Sequence, residues 1–98
     1  MFLKMSDTQK FIFSAGKGNY ERVKYFLKCT NIDPSSDNNS AITSASQNGH
    51  SEVVKLLLND SRVDPSDNNN GAIKLAFMNG HLENIKLLLS DSRVDRLD

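Results

Sequence analysis

An all-α solenoid of about three helix–turn–helix units is the fold this sequence predicts, and three observations predict it. Self-similarity is the first. Asn48-Gly49-His50 recurs 31 residues later as Asn79-Gly80-His81, and Lys55-Leu56-Leu57-Leu58 and Asp60-Ser61-Arg62-Val63-Asp64 recur at the same interval. Between residues 41–67 and 72–98, 17 of 27 aligned positions are identical. A fixed period of this size marks stacked units, none of which can bury its apolar face alone. Apolar spacing is the second observation: Val54, Leu57 and Leu58 stand at i, i+3 and i+4, as do Ile85, Leu88 and Leu89, the pattern of one helix face. Punctuation is the third, because Gly, Pro, Asp and Asn fall at equivalent places in each unit.

Taken in order, the first unit spans about residues 8–39, the second 40–70 and the third 71–98, forming one domain over 1–98. The first unit is diverged, but Gly18, Glu21, Val23, Lys24 and Leu27 match Gly49, Glu52, Val54, Lys55 and Leu58, and Ile32-Asp33-Pro34-Ser35 matches Val63-Asp64-Pro65-Ser66. A first helix is predicted roughly over 8–16, 40–47 and 71–78, with Ser6 or Asp7 capping the earliest. Ile42 and Ala45, like Ile73 and Ala76, are one turn apart there, and a small Ala lets a neighbouring helix approach. At Gly18, Gly49 and Gly80 the chain needs a positive φ or a tight reversal. The second helix follows over about 20–28, 51–59 and 82–90. Glu21, Glu52 and Glu83 lie in its first turn, where the helix dipole favours a carboxylate. Lys24, Lys55 and Lys86 follow three residues later, the spacing of solvated helical pairs. The linkers Asp33–Asn39 and Asp64–Asn70 carry turn chemistry, with Pro34 and Pro65 stopping any helix.

Composition narrows the function. Ninety-eight residues suit a single domain with a thin stability margin, about 5 kcal/mol by general scaling. Twelve Lys and Arg balance twelve Asp and Glu, so no global field draws the chain to nucleic acid or anionic lipid. Cys29 is the only cysteine, which leaves no internal disulfide and no cysteine cluster for zinc; it reads as a neutral replacement for the aspartates at 60 and 91. The polar turn after Met5 argues against a signal peptide, and runs such as Leu56–Leu58 are too short to cross a bilayer. A cytoplasmic or nuclear location is the expectation, and the sequons at Asn38 and Asn59 are read as chance. His50 and His81 occupy equivalent turns, a repeat apart, so they read as turn histidines bonded to backbone and not as ligands of one metal. Without a P-loop, GxSxG or HExxH motif, an enzyme is not expected, nor is any cofactor.

The run Gly49-His50-Ser51-Glu52-Val53-Val54-Lys55-Leu56-Leu57-Leu58 resembles the second helix of the ankyrin repeat, and Val63-Asp64 and Val94-Asp95 resemble that family's step into its connecting loop. The likeness extends from about Thr8 to Asp98. It departs in period, 31 rather than 33, and in lacking the Thr-Pro-Leu-His opening, replaced here by Ser40-Ala41-Ile42-Thr43 and Gly71-Ala72-Ile73-Lys74. This Asn-rich variant is similar to arrays of amoebae and their large DNA viruses. The resemblance implies an all-α, ankyrin-type solenoid that binds another protein through a concave face of loop tips and first helices. On that pattern, Asp37, Asn39, Gln47, Asn48, Asn68, Asn70, Met78 and Asn79 are the expected contact residues, with Met78 the apolar anchor. Leu75 and Phe77 could serve packing between units or ligand contact. The aromatic first unit (Phe2, Phe11, Phe13, Tyr20, Tyr25, Phe26) suits a specialised end whose outer face is less polar than a cap requires. The third unit, with nothing after Asp98 to cover Ile85, Leu88 and Leu89, reads as an exposed end that could also drive self-association.

Overall fold

The computed structural model describes residues 4–94. Among them are six helices and no strand: α1 (Asp7–Gly16), α2 (Tyr20–Cys29), α3 (Ser36–Gln47), α4 (Ser51–Leu58), α5 (Asp67–Met78) and α6 (Leu82–Leu89). Consecutive pairs form three hairpins. Their first helices stack α1 on α3 on α5, and their second helices stack α2 on α4 on α6, in a body 45 × 27 × 22 Å.

Local chemistry explains the helix limits. Ser6 opens α1 with a reciprocal capping box: Gln9 N–H donates to Ser6 Oγ at 3.1 Å and Ser6 N–H to Gln9 Oε1 at 2.8 Å. Asn19 caps α2 by accepting from Arg22 N–H. Gly18, Gly49 and Gly80 have φ of 75°, 80° and 72°, the left-handed conformation that spares a residue without Cβ. Each hairpin reverses there, as expected.

The Asn-rich linkers do more than turn. Asp37, Asn38 and Asn39, and again Asn68, Asn69 and Asn70, all have φ of 57–61°. Each triplet is a short left-handed turn leading into the right-handed helix that begins at Ser40 or Gly71. L-residues pay roughly 1–2 kcal/mol apiece in this conformation, least for Asn and Asp. The strain is held by what surrounds it. Asp33 and Asp64 each accept from the N–H and hydroxyl of Ser35 and Ser66, Pro34 and Pro65 are buried, and Asn39 reaches the next unit. Its Nδ2 donates to Asp67 Oδ2 at 2.8 Å, and its Oδ1 accepts from Asp64 N–H at 2.8 Å. The Oδ1 of Asn70 is buried without a partner; the residues that the register would set against it, 95 and 98, lie outside those described.

One apolar core runs through the stack, from Phe11, Val23 and Phe26 through Ile42, Val54 and Leu57 to Ile73 and Leu88. Ala15, Ala45 and Ala76 are fully buried, the small residues that let first helices approach. Phe11 and Phe26 meet edge to face at 6.1 Å. Leu89, expected on the buried face, is instead half exposed, and its equivalent Leu58 is itself only partly buried, so this position stands at the edge of the helix's apolar face. The Glu–Lys pairs expected at 21/24, 52/55 and 83/86 are not formed: among the described residues the ion pairs are Arg62–Asp60 and Arg93–Asp91, both at 2.8 Å.

These arginines join units. The Arg93 guanidinium donates to the carbonyls of Leu58 (2.6 Å), Val63 (2.5 Å) and Asp60 (3.5 Å) in the preceding unit while holding both oxygens of Asp91. It thereby satisfies carbonyls at and beyond the end of α4 that no helical N–H reaches. Its guanidinium holds the Asp91 carboxyl below the ordinary carboxylate range, against the raising effect of burial, and Arg62 does the same for Asp60.

A polar contact also crosses the second-to-third interface. Asn84 is completely buried where the second unit has Val53. It donates to the Ser46 carbonyl at 3.1 Å and accepts from Ser51 Oγ at 2.7 Å. Asn84→Val should cost ~1–3 kcal/mol in urea unfolding, because Ser51 loses its acceptor in a half-buried place. Adding Ser51→Ala should recover most of that loss.

Candidate protein-binding groove

The first-helix side of the stack carries a cavity of about 450 Å³ between the first and second units. Helix α1 supplies Gln9, Ile12, Phe13 and Gly16, followed by Lys17, with Met5 just before the helix; α3 supplies Asp37 and Ser44, with Asn48 just after it. The apolar part is open to solvent: Phe13 is 56% exposed and Met5 39%. Lys17 Nζ lies 5.4 Å from the Phe13 ring centroid, a cation–π contact that places a positive charge beside the apolar floor. Asp37 brings an exposed carboxylate to the lining.

Two side chains fix this wall to the first unit. Asn48 Nδ2 donates to the Gly16 carbonyl at 2.9 Å, and His50 Nε2 lies 3.0 Å from the same oxygen. A carbonyl only accepts, so Nε2 carries the proton. The turn-histidine reading therefore holds for His50, with the bonded backbone belonging to the preceding unit. Among the described residues no group of three or more His, Cys, Asp or Glu is placed to hold a metal ion.

Of the eight residues expected to contact a partner, Asp37 and Asn48 line the cavity. Gln47, Asn68, Met78 and Asn79 are exposed, Met78 at 77%, and Asn70 is half-buried. Asn79 turns its amide back onto the Leu75 carbonyl at 2.8 Å. Asn39 departs from the set: at 3% exposure, with both amide atoms bonded, its side chain ties two units together and is not offered to solvent. Met5, Ile12 and Phe13 were not in the expected set. The sequence held a signal for two of them, because the columns Ile12/Thr43/Lys74 and Phe13/Ser44/Leu75 vary as strongly as those compared between the later units.

A hairpin stack with this turn and loop geometry has a counterpart among known families. A family model described as ankyrin repeats, in three copies, matches residues 11–98. The chain belongs to the ankyrin-repeat family. Ankyrin repeats are in general protein–protein interaction modules. Comparison with curated proteins gives no match, and comparison with solved structures gives none either. No helix among the described residues is long and apolar enough to cross a membrane.

Proposed function

We propose that this ankyrin-repeat chain is a non-enzymatic binding module that takes a protein partner along its first-helix, concave side. The cavity at Ile12 and Phe13 receives an apolar side chain of that partner. The observation that carries the reading is the exposed apolar floor of Met5 and Phe13 within a lined cavity. Large side chains left open to water in such a recess are a common mark of a binding surface. Lys17 and Asp37 on its lining, with Asn48, supply polar contacts, and Gln47, Asn68, Met78 and Asn79 extend the surface along the later units. Asn39 is left out because its amide is already used.

The test is capture from a cell extract with three baits of equal helicity: the native chain, a Phe13→Glu variant, and one with Gln47, Asn68, Met78 and Asn79 changed to charged residues. Phe13→Glu places a carboxylate four residues before Lys17, an exposed pair that keeps the helix intact. A protein held by the native bait and released by Phe13→Glu supports the cavity as anchor. Equal capture by native and Phe13→Glu baits contradicts it.

A further inference from the structure

The two faces through which repeats meet can be read from burial in equivalent positions. A rear-face position is covered in the second and third units and open in the first. The positions 10/41/72, 19/50/81 and 22/53/84 behave so: Lys10, Asn19 and Arg22 are more exposed than Ala41, His50 and Val53 or Ala72, His81 and Asn84. A front-face position is covered in the first two units and open in the third. Ala15 and Ser46 are fully buried while Phe77 is 70% exposed; Tyr20 and Ser51 are half-buried while Leu82 is 70% exposed.

The glycine turns show how the faces lock. A Cβ placed on Gly18 would lie 2.5 Å from the His50 ring, and one on Gly49 would lie 2.7 Å from the His81 ring. Each glycine is thus a socket for the ring of the following unit. Gly80 has the same backbone, φ 72°, but a Cβ placed on it would meet no atom of the described residues within 4 Å. Across the second interface the chemistry also matches by kind, Asn84 meeting Ser46 and Ser51. The same register sets Val53 against Ala15 and Tyr20 at the first interface.

The third unit therefore presents an open ring socket beside two large apolar side chains. The register calls for a small residue, a ring nine positions later and an aliphatic residue three beyond that, the set Ala41, His50 and Val53. The chain's own rear end offers Lys10, Asn19 and Arg22 instead, which would set two charges and an amide against Phe77, Leu82 and an empty socket. Lys10, Asn19 and Arg22 disfavour head-to-tail self-association, while Tyr25 leaves an exposed ring on the same unit, in keeping with an outer face less polar than a cap requires.

We infer that the face formed by Phe77, Gly80 and Leu82 is a second docking surface, separate from the groove, for an ankyrin-type helix pair of another protein that carries this small–ring–aliphatic set. What argues for that occupant is continuity with the two interfaces already in the chain.

The full chain with Lys10→Ala, Asn19→His and Arg22→Val provides the probe, since its rear face then carries the required set. Sedimentation across the micromolar range should find the native chain monomeric and the triple variant growing in mass with concentration. Adding Phe77→Ser and Leu82→Ser to the triple variant should return it to monomer. A triple variant that stays folded and monomeric overturns the inference. So does growth that survives the two serine changes, or a native chain that itself associates. Circular dichroism on every variant separates loss of docking from loss of fold.

Discussion

Asn39→Ala should remove about 3–4 kcal/mol of stability, most of the margin of about 5 kcal/mol expected for a domain of this size. Three losses add. The bond from Nδ2 to the Asp67 carboxylate disappears; hydrogen bonds to charged groups are worth roughly 1.5–3 kcal/mol. The Asp64 N–H, which donates to Asn39 Oδ1 at 2.8 Å, loses its partner in a part-buried place. Alanine must also take up φ 60°, where asparagine is better tolerated, at about 1 kcal/mol. Asn39→Gly separates these contributions, since glycine adopts that φ freely but makes neither bond. It should recover only about 1 kcal/mol of the loss. Urea unfolding followed at a helical band reads both variants. If Asn39→Ala unfolds at the native urea midpoint, the tie from Asn39 to Asp64 and Asp67 is not what holds the left-handed turn.

The second large effect is expected at Gly18. A methyl there meets the His50 ring at 2.5 Å and sits on a backbone at φ 75°. His50 must move, and with it goes the bond to the Gly16 carbonyl. Gly18→Ala should cost about 3 kcal/mol, from roughly 1 of backbone strain, 1 of hydrogen bond and the rest of lost packing. Gly80→Ala makes the same backbone demand, φ 72°, in open space, and should cost only about 1 kcal/mol. The difference between the two isolates the ring. A double variant, Gly18→Ala with His50→Ala, should cost less than the sum of its single changes, because the clash is removed with the ring. Equal losses at Gly18 and Gly80 would show that the socket contributes nothing to stacking.

Much of the fold was legible because it is set by local chemistry repeated in register. The reversals at Gly18, Gly49 and Gly80, and second helices starting at 20, 51 and 82, follow from spacing and from glycine's tolerance of positive φ. The Asn runs were legible as turns, but not as three successive left-handed residues. At the first run that conformation is accompanied by bonds from Asn39 to Asp64 and Asp67, 25 and 28 residues away, which no local propensity contains. Arg93 was visible only as a recurring letter; its role needs the carbonyls of Leu58 and Val63 brought beside it. The expected Glu–Lys pairs failed for the opposite reason. Their i, i+3 spacing permits contact, but exposed pairs gain little against side-chain entropy. Of the candidate site, Asp37 and Asn48 were legible from the loop and the end of the first helix. The cavity floor was not, because the aromatic first unit reads as an end cap until Met5 and Phe13 are seen open to solvent.

Amide hydrogen exchange on the chain, alone and with the protein that its native bait retains, tests the binding account most directly. The account predicts slowed exchange across residues 9–17 and 44–48, the two walls of the cavity, with little change in 20–29 and 51–58. Protection confined to those second helices, with the cavity walls exchanging as in the free chain, would contradict it.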